Sequence, residues 1–404
     1  MTIKQPAVTS SWLIVVAAMA AYALSDVSAW LTPEIITGFM DERSMSEAQA
    51  GSVSGVELIC IFVASLVSSL FARNFPIRMG AALASIVTVI SYLALPHINN
   101  DVVLYATRVA SGLALGCLMT SAILAISTLK NAPAHYPKLY IADSLCGAAL
   151  LAIIIPFHSA LPEGTSVFTA IGLLMLVLVP LALLKMPSKT TNFAAAEHEL
   201  NIPRAGLPNL SSYLLVIAVF LFSTMCGVSF SFAQVLGQNA QLDEQAVNQI
   251  LSFSILVSVP GNLLCIYVAK RFGRKMPALI AMTLHAVSNA LLVTTGNEMM
   301  FIVCMALNIA SLYFLFPFWQ GVAMHFDING GCAAAIGSAF AFSMAAGSFF
   351  GGWLLEMVSS AYFAGFFMFV DALTIIIFLL AFSVKSTDNA AFRSDESLLV
   401  KGFK

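Results

Sequence analysis

Twelve stretches of roughly 20 largely apolar residues follow one another along this chain, separated by short breaks of charge, proline, glycine and asparagine. The first six occupy 12–38, 46–71, 77–95, 101–129, 137–157 and 165–186; the second six occupy 209–237, 245–269, 276–295, 299–326, 331–358 and 361–384. In lipid every backbone polar group must find a partner within the protein, which leaves helices or closed barrels, and stretches this long and evenly apolar exclude barrel strands. The chain is therefore predicted to be an all-α membrane protein with twelve transmembrane helices. Composition agrees, because 60% hydrophobic and 9% charged residues, with a mean hydropathy of +0.92, leave too little charge to cover a water-soluble globule of 404 residues. A net charge of −2 gives no reason to expect a nucleic-acid partner. The seven cysteines lie in or beside apolar stretches without CxxC or other metal-type spacing, so no metal or cofactor is expected.

The long polar connection at 187–208 divides the chain into two sets of six. Adding 197 carries Trp12 to Asn209, Pro76 to Gly273, Pro133 to Gly330 and Gly164 to Ala361, so one offset aligns the starts of spans in both halves. This predicts an internal repeat: a six-helix bundle over 1–186, a cytoplasmic linker over 187–208, a second bundle over 209–384 and a cytoplasmic tail over 385–404. With the N-terminus inside, 16 of the 18 Lys and Arg fall in cytoplasmic segments, leaving Arg43 outside and Arg108 within a span. That bias places both termini in the cytoplasm and suits a bacterial inner (plasma) membrane.

Two basic connections occupy related positions: Arg73-Asn-Phe-Pro-Ile-Arg78 between spans 2 and 3, and Lys270-Arg271-Phe-Gly273-Arg274-Lys275 between spans 8 and 9. In span 4 the pattern Arg108-x-x-x-Gly112-x-x-x-Gly116 follows the loop. Together with the six-plus-six arrangement, these residues resemble the major facilitator superfamily over essentially the whole chain. The resemblance implies two pseudo-symmetric six-helix bundles, alternating access, and a conformational role for Arg73, Arg78, Lys270, Arg271, Gly273 and Arg274. The chain departs from the family pattern where Arg73 and Lys270 replace acids, and span 5 lacks the Gly-Pro pair of drug/proton antiporters.

Seven charges lie inside the spans: Asp26, Glu34, Glu57, Arg108, Asp143, Glu356 and Asp371. A charge at mid-bilayer costs about 2.5–3.5 kcal/mol on insertion scales, so each needs a partner, a watery cavity or a proton. Counted from the outer span ends, Asp26, Glu57 and Arg108 lie roughly 18, 16 and 10 Å deep at the helical rise. They are predicted to meet as a proton-coupling site, because two carboxylates near one guanidinium in low dielectric cannot both be comfortably ionised. A static ion pair joining helices is the competing reading. Adding 197 to 26 and 57 gives Ser223 and Ser254, which assigns proton handling to the N-terminal half. Glu34 and Glu356 read as solvated groups near the outer face, Asp143 as a helix-start or loop contact and Asp371 as a buried pair or an inter-helix hydrogen bond.

A solute cavity is expected at mid-depth between the halves. Tyr22, Asp26 and Trp30 share one face of span 1 at i, i+4 and i+8. Glu34, Phe230, Gln234, Tyr313, Phe316, Trp319 and Gln320 complete the candidate wall, with Pro317 inviting a bend. Aromatic walls with few polar groups suit a small, partly apolar organic solute, although aromatics in so apolar a chain also serve as packing. The predicted function is a secondary active transporter, proton-coupled and working as a monomer. Its partners are an organic substrate, protons and the lipid bilayer. A proton-antiport efflux pump for hydrophobic or cationic drugs is the alternative, and a transporter-like sensor or receptor the reading from another class. No nucleophile–base pair, metal motif or phosphate loop suggests an enzyme.

Overall fold

The computed structural model describes residues 11–70, 75–129, 135–188, 210–273, 275–326, 331–357 and 359–388. The predicted linker lies almost entirely outside these residues, as does the tail beyond 388. The N-terminal half contains α1 (Ser11–Trp30), α2 (Thr32–Arg43), α3 (Glu47–Leu70), α4 (Ile77–Ala94), α5 (Asp101–Ser127), α6 (Tyr136–Ser159) and α7 (Val167–Leu183). The C-terminal half contains α8 (Leu210–Ser231), α9 (Ala233–Asn239), α10 (Glu244–Phe272), α11 (Lys275–Thr294), α12 (Glu298–Phe326), α13 (Gly331–Met357) and α14 (Ser360–Asp388). Helix occupies all twelve predicted stretches, with the first and seventh each broken in two. Among the described residues ten helices are long and apolar enough to cross a membrane, and α7 is a shorter apolar helix of 17 residues. Large apolar side chains such as Leu66, Ile90, Val177 and Phe369 stand exposed around the outside, as lipid as solvent requires.

The break in the first stretch has a local cause. Pro33 has no N–H and its ring cannot follow the carbonyl four residues back, so the ladder fails at Ala29. The Thr32 hydroxyl takes over, donating to Ala29 O at 3.0 Å and to Ser28 O at 2.9 Å. The chain turns at Leu31 and restarts as α2.

Packing repeats between the halves. Within the first, α3, α4 and α1 pack on α5, α1 packs on α6 and α7, and α4 packs on α7. Moving six spans along the chain reproduces each pair: α10, α11 and α8 on α12, α8 on α13 and α14, and α11 on α14. Two major seams join the halves, α3 with α13 and α6 with α10, and the same shift exchanges one for the other. The result is a pair of pseudo-symmetric helical bundles.

Glycines let these helices approach. A Cβ on Gly112 would strike Glu57 O and Cys60 Cβ, and one on Gly116 would strike Ile61 O and Ala64 Cβ, so α5 lies backbone to backbone on α3. Along the α3–α13 seam, Gly51 abuts Ser348 O, Gly55 abuts the Phe349 ring and Gly352 abuts Glu47 O.

Candidate functional site

Because Arg108 stands one helical turn before Gly112, the close α5–α3 crossing sets its guanidinium beside Glu57. Arg108 Nη2 forms an ion pair with Glu57 Oε2. Around the carboxylate, the hydroxyls of Ser28 and Ser111 donate to it and Tyr92 Oη donates at 3.0 Å. The Phe39 and Tyr92 rings cover the guanidinium at 5.7 and 5.2 Å, while Nε and Nη1 have no hydrogen-bond acceptor among the described residues. Glu57 and Arg108 are 0% and 1% exposed. This is a sealed, charge-balanced knot of four spans.

Asp26 is not part of it, and the predicted three-residue patch divides. Ser28 points to Glu57, and two residues of helix turn the side-chain direction by about 200°, so Asp26 faces the other way, towards α6. There it lies within electrostatic reach of Asp143, Tyr22 and Tyr140. Depth along the chain placed Asp26 and Glu57 at similar levels; azimuth separates them.

The face predicted for span 1 does assemble. The Tyr22 and Tyr140 rings meet edge to face at 5.7 Å, and Trp30 Nε1 donates to Asp143 Oδ1 at 2.9 Å. Trp30 sits on Gly147, where any Cβ would enter its indole ring. From the C-terminal half, Phe230 reaches Trp30 with centroids 6.3 Å apart, and Tyr313 Oη lies 3.4 Å from Ser144 Oγ. Asp26 and Trp30 remain partly exposed, as do Phe230, Tyr313, Phe316 and Gln320. Asp143 is 7% exposed and belongs to this site rather than to a helix start. Its signal was its register, with Tyr140 and Gly147 three before and four after it on one face of α6. Neither Asp26 nor Asp143 has an ion-pair partner among the described residues. Gly147→Leu is expected to drive Trp30 off Asp143 at an overpacking cost of about 1–3 kcal/mol. A change in tryptophan emission that disappears in a Trp30→Phe background checks this.

Other candidates lie elsewhere. Trp319 is fully buried in the C-terminal core, edge-on to Phe222 at 4.8 Å, and does not join the aromatic wall because its side of α12 faces α8. Phe316 packs on Phe340 at 4.8 Å. Glu34 is 2% exposed rather than solvated: Gln234 Nε2, from the other half, donates to its Oε1 at 2.5 Å and to Asn248 Oδ1 at 2.9 Å. Glu356 is exposed and accepts from Ala48 N at 2.8 Å across the same end of the molecule. Asp371 forms the expected buried pair, 3.3 Å from His285 Nδ1, within a network including Asn289 and Asn308. The offset of 197 carries Tyr92 and Ser111 to Asn289 and Asn308, so each half buries a polar knot at the same place. At the basic end Arg78 and Arg271 are exposed and Gly273 closes α10 at φ 73°; Lys270 lies in the last turn of α10, and Arg73 and Arg274 lie outside the described residues. Among the described residues no three His, Cys, Asp or Glu side chains gather to hold a metal.

A family model described as Major Facilitator Superfamily matches residues 12–326. No curated protein sequence matches the chain. Among solved structures, the nucleoside transporter NupG is similar at a TM-score of 0.70 and 14% identity, covering 91% of this chain and 98% of that one. The xylose transporter XylE from E. coli, in an inward-open conformation, gives 0.68 and 13%, covering 92% and 96%. The peptide transporter POT, in complex with sulfate, gives 0.68 and 12%, covering 94% of each chain.

Proposed function

Since the chain belongs to the major facilitator superfamily, we propose that it moves a small, partly apolar organic cation by alternating access, in exchange for protons. One observation carries this reading. Asp26 and Asp143 lie within electrostatic reach of each other beside an aromatic wall contributed by both halves, and no described cation balances them. Two acids in a low-dielectric site need a compensating positive charge. A proton or an ammonium group supplies it, and the surrounding rings attract either the charge or the apolar body of an amine. Competition between the two for one acid pair couples their movements. Glu57 and Arg108, which already neutralise each other, then serve as a fixed joint.

The arrangement of ends fits one state of the cycle. Glu34, Gln234 and the α3–α13 glycines close the end away from the basic loops. With those loops and both termini placed in the cytoplasm of a bacterial inner membrane, this closed end is the outer one, and one copy contains the whole pathway.

The test is transport by protein reconstituted in vesicles with an imposed pH gradient, comparing an aromatic amine with its neutral isostere. Asp26→Asn and Asp143→Asn are each expected to abolish proton-driven movement of the amine. Loss of one charge-assisted contact, about 1.5–3 kcal/mol, weakens binding by roughly 10–150-fold. Movement of the neutral isostere with the same pH dependence, or unchanged transport in both variants, sinks the reading.

A further inference from the structure

The lipid-exposed surface of α10, α11 and α12 carries two apolar grooves, of about 480 and 280 Å³. They share Met276, Ile280 and Leu284, which recur at i, i+4 and i+8 and so form a ridge along α11; the larger groove extends from it to α10 and α12, and the smaller is lined by α11 alone, with Leu279 and Thr283. The larger groove has Ala281 and Ala310 among its lining residues, between Phe272 and Phe314. From Met276 to Leu284 the ridge runs roughly 12 Å at the helical rise, near the ~15 Å hydrocarbon depth of one leaflet.

Positive charge stands at one end of this ridge. Arg271 and Lys275 flank Phe272 and Met276 in sequence and are exposed, and neither is paired with an acid among the described residues. Arg271 is held there, donating to Tyr267 Oη at 3.1 Å and lying over the Phe272 ring at 5.7 Å. Two apolar grooves beside two exposed cations, one of them held in place, match a molecule with two chains below one negative headgroup. A zwitterionic lipid fills the grooves equally well but sets its own ammonium against Arg271 and Lys275.

We propose that this face binds one two-chain anionic phospholipid, with its headgroup on Arg271 and Lys275 and an acyl chain in each groove along the Met276–Ile280–Leu284 ridge. The site is independent of the solute proposed above. Native mass spectrometry of the delipidated full-length protein tests it, using phosphatidylglycerol and phosphatidylethanolamine of identical chains. A preference for phosphatidylglycerol is expected, of about fivefold per basic residue, so that R271Q/K275Q loses roughly 25-fold. Ala310→Phe, which fills the larger groove, is expected to weaken both lipids together. Equal binding of the two lipids by the natural sequence overturns the proposal, as does a preference surviving in R271Q/K275Q or undiminished binding in Ala310→Phe. Should the double variant unfold, salt decides: raising ionic strength from about 0.1 to 1 M shortens screening from ~10 to ~3 Å, and a preference that withstands this overturns the proposal too.

Discussion

Replacing Arg108 with methionine is expected to destabilise the protein by about 3–5 kcal/mol, the usual cost of leaving one member of a buried ion pair behind. Glu57 is then a carboxylate at 0% exposure whose remaining partners are the Ser28, Ser111 and Tyr92 hydroxyls. Hydroxyls satisfy its oxygens but cannot cancel its charge. A second change, Glu57→Gln, removes that charge and should therefore recover part of the deficit. A charge-balanced pair contributes little net stability while each half of it is costly alone, so the double variant should be more stable than Arg108→Met. Thermal unfolding of the four proteins in one detergent checks the cycle. If Arg108→Met were as stable as the natural sequence, Glu57 and Arg108 would not form the joint described above. The same comparison separates structure from coupling, since a joint that only holds spans together leaves the pH dependence of transport unchanged in the double variant.

The architecture was legible in the sequence because it depends on quantities that add along a chain. Run length, lysine and arginine asymmetry and the 197-residue offset all read one dimension, and they placed helix in each predicted stretch. The site was legible only in part. Tyr22, Asp26 and Trp30 could be placed on one face because they lie on one helix, where spacing fixes it. Asp26 was joined to Glu57 and Arg108 because depth was known and azimuth was not; Ser28, two residues on, is what faces Glu57. Trp319 shows the same ambiguity in aromatics, since nothing in its spacing from Tyr313 and Phe316 says which neighbouring helix covers it. Asp143 read as a helix-start or loop contact, yet its partner Trp30 reaches it from another span. Glu34 read as solvated for want of any sign that Gln234, 200 positions later, closes over it.

Gln234→Glu is expected to open that outer contact. It replaces an amide that donates to Glu34 at 2.5 Å with a second carboxylate in a pocket where Glu34 and Gln234 are 2% and 1% exposed. Juxtaposed like charges cost several kcal/mol, and each 1.4 kcal/mol is tenfold in population, so a hundredfold or greater shift towards the outward-open form is predicted. Charges nearby do not offset the repulsion: Asp41 and Glu244 are the groups acting on Glu34 through space, and both are acids. The shift should grow as pH rises, because a proton on either glutamate restores a donor between them. Labelling of a cysteine placed at Ser52, on the α3 side of the seam, by a membrane-impermeant reagent measures the opening. Exchanging the two side chains, Glu34→Gln with Gln234→Glu, restores one donor and one carboxylate and should close the contact again. If the single variant labels no faster than the natural sequence, or the exchange fails to reverse it, the halves are held shut by the glycine packing of α3 on α13, with the Glu34 contact following rather than controlling the closure.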